Sequence, residues 1–466
     1  MKSTLRWGNS SLMDGLMSRY PIEGSGTPTV EEKAQVFASL DRASSAWRMP
    51  YLWKTDIVAQ ASGLPAEQVE SMLAQLSVTW GCQPDYLMPD DPNLVRLRPA
   101  VQLDVGHYFV PLSWNFVHGL FPWIADLLHS SGQRSLLEAV RRHRDVATET
   151  LTREVLHRIF GSLSVGPLYY DHEGKHGEID ALVATGTSRL VFECKAHTLT
   201  PAGRRGAPAR VHRVVDDVVG AGMDQLVRAR RYLATGACHF ADRQGGEPEK
   251  RLPVPAREVI EVLVTFERMD PIAVTSGGAE TPARIWQVCL ADLLMVGELL
   301  PAPAEFFDYA AVRASLGASG VMVYVEADAL AVYLNDRFRE LIAASAAGNA
   351  LLGYAAGPIN DYYTLTPFGV DVPRPQSQVP TEVLVALDRV MTSAPESWVR
   401  LAAAVMRQEP RVWRKWAKRA RRKKRHDWME FRCDDPPLVI RTTAVGSREK
   451  LETPTLTLGP ARVDGE

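Results

Sequence analysis

Apolar residues recur along the chain in two periods, and the changes from one to the other mark its organisation. Over DIVAQASGLPAEQVESMLAQLSV (56–78) the spacing is helical and breaks at Gly63-Leu64-Pro65, predicting two short helices. A strand-like run, LVRLRPAVQL (94–103), follows. Helix, turn, helix and hairpin is the order a winged helix requires. The second helix carries Glu67 and Glu70 and no Arg or Lys, so the favoured expectation is a small helical subdomain without DNA contact. From about 131 to 161 a long helical pattern ends at Gly161, which suits a left-handed C-cap. Between 212 and 233, Val215, Val218, Val219, Gly222, Leu226 and Ala229 fall on one helical face.

Alternation replaces the helical period in EIDALVATGTSRLVFECKA (178–196), which reads as a β-hairpin, and strand character returns in EVIEVLVTFE (258–267) and IWQVCL (285–290). Helix, hairpin, helix and strand describe an α/β core with a mixed sheet. Beyond 318, GVMVYVE (320–326) and one helix through ALAVYLNDRFRELIAA (329–344) begin a further α/β segment. Pro/Gly-rich stretches at 200–210, 241–257 and 371–380 read as loops or linkers. The expected division is a mainly helical N-terminal domain (1–130), a central α/β domain (131–317), an α/β C-terminal domain (318–446) and a tail (447–466).

Composition changes this picture little. The chain has 466 residues, 46% hydrophobic and 23% charged, with a formal net charge of −2, values that suit a large core and announce no polyanionic partner. Its five cysteines lie far apart without zinc-finger spacing. No stretch reaches the ~18 uninterrupted apolar residues of a membrane span, so the expectation is a cytoplasmic protein with no membrane partner.

Charge inside the hairpin changes the picture more. With Gly186-Thr187 as a two-residue loop, Asp180 faces Glu193 and Glu178 faces Lys195. Ile179, Ala181 and Val183 then point one way, and all four charged groups share the other face. Two opposed carboxylates repel, and a divalent cation is an economical remedy, since Mg²⁺ accepts one or two carboxylates, a carbonyl and several waters. Lys195 would add a positive charge beside it. The alternative is a solvated hairpin face with Glu178 paired to Lys195.

Asp180, twelve intervening residues and then Glu193-Cys194-Lys195 resemble the PD-(D/E)XK nuclease superfamily, closest to its nuclease-related-domain and Holliday-junction-resolvase-like branches, over about residues 131–290. Ile179 stands where the namesake motif has proline. The resemblance implies a restriction-endonuclease-like core and a Mg²⁺-dependent (or Mn²⁺-dependent) endonuclease. Asp180, Glu193 and the Cys194 carbonyl would be its metal ligands and Lys195 its catalytic lysine. It also implies an acid from the preceding helix, Glu154 ahead of Glu149, and a glutamine from the following one, Gln225, which otherwise reads as a surface amide. Glu178 is an accessory candidate. His176, His197 and His212 read as polar loop residues.

The segment 411–425, RVWRKWAKRARRKKR, holds ten basic residues and no acid. As a helix it places Trp413, Trp416, Ala417 and Ala420 on one side and Arg414, Lys415, Lys418, Arg419 and Arg422 on the rest, a surface suited to phosphates. Arg204, Arg205 and Arg210 form a second basic patch near Lys195. The expected function is hydrolysis of DNA phosphodiesters, in defence against foreign DNA or in repair, with a partner protein or a second copy as further partner. The competing readings are a non-catalytic DNA-binding or assembly module and an RNA nuclease.

Overall fold

The computed structural model describes residues 52–79, 81–84, 94–96, 98–110, 122–129, 131–198, 213–236, 238–246, 250–252, 255–268, 285–316, 321–345, 350–353, 355–366, 370–422, 428–434 and 437–443. Contacts divide the chain into two units, Met1–Arg141 and Arg142–Glu466. Both mix helices with strands, an α/β architecture with mixed sheets.

In the first unit β1 (Leu52–Lys54) leads into α1 (Thr55–Ser62) and α2 (Ala66–Gln75), which are joined where Gly63 adopts a left-handed φ of 71°. Strands β2 (Ser77–Thr79), β3 (Ala100–Asp104) and β4 (His107–Phe109) complete a four-stranded sheet in the order β1-β4-β3-β2. Only the second half of the expected strand 94–103 is extended, for Leu94–Arg96 form a 3₁₀ turn. Pro99 between the two halves explains the change of conformation, since proline cannot donate to a ladder. Glu70 is structural: its carboxylate accepts from the hydroxyls of Thr55 and Tyr108 and from Gly106 N, which ties α2 to the β3–β4 hairpin.

The second unit is built on a five-stranded sheet. Helix α3 (Arg134–Phe160), whose first turns precede the division, leads into β5 (Ser164–Val165), β6 (Leu168–His172) and β7 (Lys175–Ile179). Then come β8 (Ala181–Thr185) and β9 (Ser188–Lys195). A π-helical turn at Val215–Gly220 opens α4 (Ala221–Ala234), followed by β10 (Cys238–Phe240), β11 (Lys250–Leu252), β12 (Glu258–Thr265) and β13 (Ile285–Cys289). The sheet order is β13-β12-β9-β8-β5, parallel across β9, β12 and β13 and antiparallel across β9, β8 and β5. Parallel neighbours need a crossover, and α4 lies in the connection from β9 to β12.

Alternation sorts this sheet into two faces. Ala181, Val183, Leu190, Phe192, Val262, Val264, Trp286 and Val288 meet α3 and a helical layer. In that layer are α5 (Leu290–Leu299), α6 (Pro303–Leu316), α7 (Glu326–Asp336), α8 (Arg339–Ser345), α9 (Gly357–Leu365), α10 (Thr381–Ser393), α11 (Pro395–Met406) and α12 (Pro410–Arg422). One core runs from Val155 to Trp416, so the boundary expected near 317 falls inside it. Leu182, Val191 and Leu263 pack on the other face against Met223, Leu226 and Leu233 of α4.

The helix expected over 329–344 is two. Arg337 and Phe338 take left-handed φ values of 59° and 61° between α7 and α8. Arg337 is buried there, with Nη2 donating to Glu305 Oε1 at 2.7 Å and to Ser377 Oγ at 2.8 Å. Satisfying that guanidinium outweighs the local preference for a continuous helix.

The β8–β9 turn supplies a first prediction. Gly186 has φ 50°, and a Cβ there would stand 2.4 Å from Pro395 O and 2.6 Å from Glu396 Cα at the start of α11. Gly186→Ala combines a disfavoured φ with a backbone clash and lowers the unfolding free energy by about 2 kcal/mol or more. Urea unfolding checks this; a midpoint equal to that of the wild type contradicts it.

Candidate functional site

The β8–β9 ladder has the expected register, with Ala181 opposite Phe192, Leu182 opposite Val191 and Thr185 opposite Ser188. It stops at Ala181. Beyond that point β9 continues through Glu193, Cys194 and Lys195, paired on its other edge with Leu263, Val264 and Thr265 of β12. On the edge left open, the Asp180 side chain takes the place of a strand partner: Oδ2 accepts from Cys194 N at 2.6 Å. A residue's N–H and C=O point to the same edge of a strand, so the Cys194 carbonyl opens towards Asp180 as well.

The run 178–185 is therefore not one strand, as alternation predicts, but two joined by a bend at Asp180. The bend is clamped from outside the hairpin. Arg153 Nη1 donates to the Asp180 carbonyl at 3.4 Å, and Gly166 packs so closely that a Cβ there would lie 2.5 Å from the same oxygen. As a consequence Ile179 joins the core with Leu182 rather than with Ala181 and Val183. Glu178 belongs to β7, where it stands opposite Tyr169 of β6 and accepts from the Tyr169 phenol. The expected pairing of Glu178 with Lys195 does not form.

Lys195 is held by other partners. Its Nζ donates to Glu193 Oε1 at 2.7 Å and to Gln225 Oε1. Glu193 and Lys195, two residues apart, share the face that α4 covers, which is why Gln225 reaches them. Gly222, one turn earlier in α4, permits the approach: a Cβ there would meet Leu263 Cδ1 at 2.5 Å and Lys195 Cγ at 3.4 Å. The Cys194 side chain points the other way, with Sγ donating to Thr152 Oγ1 at 3.6 Å, and burial pushes its thiol well up.

Asp180 and Glu193 are both buried. Burial first, and then the Glu193 charge, pushes the Asp180 carboxyl up to about 8. Burial pushes Glu193 up to about 7, against the opposing pull of Lys195. Asp180 Oδ1 and Glu193 Oε2 accept no hydrogen bond among the described residues. Two buried carboxylates that resist ionisation, each with an unused oxygen, form a site short of positive charge.

The helix acid brought to this site is Glu149, not Glu154. Glu149 is half-buried, pairs with Arg153 at 3.4 Å, and its charge adds to the upward shifts of Asp180 and Glu193. Its own carboxyl is raised by burial. Glu154 lines a separate groove with Arg158 and Ser164. The signal was in the helical period: Glu149 lies two turns before the buried Leu156 and shares its stripe, whereas Glu154 is rotated off it. Arg153 and Tyr169 carry no motif, and nothing in the sequence marked them for these positions; Gly222 was legible only as a member of the apolar stripe of its helix.

His197 is exposed and His176 contacts Asp171, while His212 lies outside the described residues, as do Arg204, Arg205 and Arg210. In α12, Trp413, Trp416 and Ala417 are buried and Trp413 Nε1 donates to Val405 O at 2.7 Å. The Arg337 guanidinium stacks over the Trp413 ring at 5.0 Å. Arg414, Lys415 and Lys418 are exposed on the opposite side; Arg419 and Arg422 continue the helix, with side chains outside the described ones.

No known protein family, curated protein or solved structure matches the chain. Among the described residues no helix is long and apolar enough to cross a membrane, and no group of three His, Cys, Asp or Glu is placed to hold a metal ion. A Mg²⁺-type ion does not need three, since it keeps several waters and binds through one or two carboxylates. The free oxygens of Asp180 and Glu193, with the Cys194 carbonyl on the same edge, fit that requirement.

The raised carboxyls imply a pH dependence in metal-free protein. Between about pH 4 and their folded values of about 7 and 8, the folded state holds protons that the unfolded chain has released. The stability from these groups is thus complete at low pH and is lost as pH rises through 7 and 8. In EDTA, the wild type loses more stability between about pH 5.5 and 8.5 than Asp180→Asn does. Urea unfolding at the two pH values checks this, and equal losses contradict it.

Proposed function

We propose that the protein is a metal-dependent nuclease that hydrolyses DNA phosphodiester bonds, with a restriction-endonuclease-like core. The observation that carries this reading is the pair Asp180 and Glu193, buried, under-compensated and adjoined by a lysine fixed in place by Gln225. A structural ion pair would need only one of the two carboxylates. A Mg²⁺ or Mn²⁺ ion bound there would supply Lewis acidity at a phosphate oxygen and lower the cost of ionising water. Asp180 and Glu193 hold the charge deficit that such an ion fills, and the Cys194 carbonyl adds a neutral oxygen. Lys195 Nζ, shared between Glu193 and Gln225, stands where it can orient the attacking water or balance charge developing on the phosphate. Gln225 is a positioning residue that keeps the ammonium from folding onto Glu193 alone. Arg414, Lys415 and Lys418 offer a cationic surface for the phosphate backbone away from the reacting bond.

The test is incubation of the full chain with supercoiled plasmid, linear duplex and single-stranded DNA in Mg²⁺ or Mn²⁺, beside EDTA. Cleavage that requires metal supports the proposal. Salt-sensitive DNA binding without cleavage of any form by either metal contradicts it and favours a non-catalytic module; cleavage confined to RNA in a parallel incubation overturns the assignment of DNA.

A further inference from the structure

A cavity of about 520 Å³ opens beside Gln225, walled by β6, β7, α4 and the residues that follow β10. Along α4 its lining is Gln225, Arg228 and Tyr232, one stripe at helical spacing. The stripe starts at the amide that holds Lys195, so the cavity begins beside the lysine of the carboxylate pair. Arg228 is the unsatisfied member. Its Nε is buried without a hydrogen-bond partner, and it forms no ion pair among the described residues. The terminal nitrogens of such a guanidinium are a ready receptor for a phosphate, which Nη1 and Nη2 can grip with two donors.

The acids in the wall are already engaged, Asp171 with His176 and Glu178 with the Tyr169 phenol. The floor is rigid: Tyr170 stacks on Tyr232 at 4.5 Å and 8°, and its ring covers Gly177, where a Cβ would meet it at 2.3 Å. The space is therefore formed before any ligand arrives. Its volume takes one nucleotide, and a base within a duplex enters such a space only by leaving its stack and its pair.

We propose that this cavity is the substrate subsite next to the scissile position. Arg228 holds the neighbouring phosphate, and the cavity houses an unpaired nucleotide between that phosphate and Lys195. Single-stranded or frayed DNA is then the substrate class. The inference rests on the nuclease reading of the carboxylate pair.

The test uses the full chain in EDTA, where no metal-dependent cutting occurs, and fluorescence anisotropy with a labelled oligothymidylate, alone or annealed to oligodeoxyadenylate. The wild type binds the single strand about tenfold more tightly than the duplex, and Arg228→Ala removes most of that preference while duplex binding is unchanged. Gln244→Trp, which changes an exposed residue of the cavity lining, has the same effect without touching the arginine. Equal affinity for the two DNA forms, or a preference that survives both substitutions, overturns the proposal. Cleavage in Mg²⁺ separates the two readings. Cutting without strand preference retains the nuclease and removes the subsite; an Arg228-dependent preference without cutting leaves a cavity that binds single strands, and overturns both the nuclease and the cavity's role as its substrate subsite.

Discussion

Lys195→Ala, on the nuclease reading proposed above, lowers the single-turnover rate of DNA cleavage in Mg²⁺ by about a thousandfold, in the range general for loss of a positioned acid, base or charge. Two effects combine in that loss. The ammonium that Gln225 and Glu193 hold beside the carboxylate pair is gone. The charge that draws the Glu193 carboxyl downward is gone as well, so its pKa rises further above about 7. Metal binding requires the ionised carboxylate, so the variant needs a higher pH for the same occupancy. Raising the pH therefore restores metal binding but not the chemical rate. A variant that cuts within tenfold of the wild type contradicts the role assigned to Lys195; full recovery at high pH limits that role to tuning Glu193.

Glu326→Ala destabilises the second unit by about 3–5 kcal/mol, the usual cost of removing one member of a buried ion pair. Glu326 is almost fully buried and accepts from Trp286 Nε1 at 3.0 Å, Tyr309 OH at 2.6 Å, and Arg313 Nε and Nη2 at 3.0 and 2.8 Å. Trp286 belongs to β13, Tyr309 and Arg313 to α6, and Glu326 opens α7, so one carboxylate ties the sheet to the helical layer. The substitution removes the acceptor that these donors share. Replacing Glu326 and Arg313 together by methionine costs less than Glu326→Ala alone, since the buried guanidinium then leaves with the carboxylate it pairs. Urea unfolding of both variants checks the account, and a loss below about 1 kcal/mol for Glu326→Ala contradicts it.

Local pattern made part of the site legible. Alternation and the Gly186-Thr187 turn are properties of neighbouring residues, and they led to the observed register of β8 and β9. The same period misread Glu178, because the bend at Asp180 is imposed by Arg153 and Gly166, which lie elsewhere in the chain. The choice between Glu149 and Glu154 turned on which stripe of α3 faces the sheet, and the buried residues nearest the helix end decide that. The break at Arg337 was hidden for a like reason, since its cause is Glu305 and Ser377, both remote in sequence. The cavity along α4 has no sequence signature, because three segments build it and only one residue of its stripe, Gln225, belongs to the pattern that the resemblance implies.

The nuclease reading requires first of all that Asp180 and Glu193 hold a divalent cation. Titration of the DNA-free full chain with Mn²⁺, followed by the electron paramagnetic resonance signal of the unbound ion, tests it without reliance on any substrate. The expected result is one site in the wild type that strengthens as pH rises through about 7 and 8 and is lost in Asp180→Asn. A wild type that takes up no Mn²⁺ across that range, or an Asp180→Asn variant that takes it up equally well, would contradict the claim.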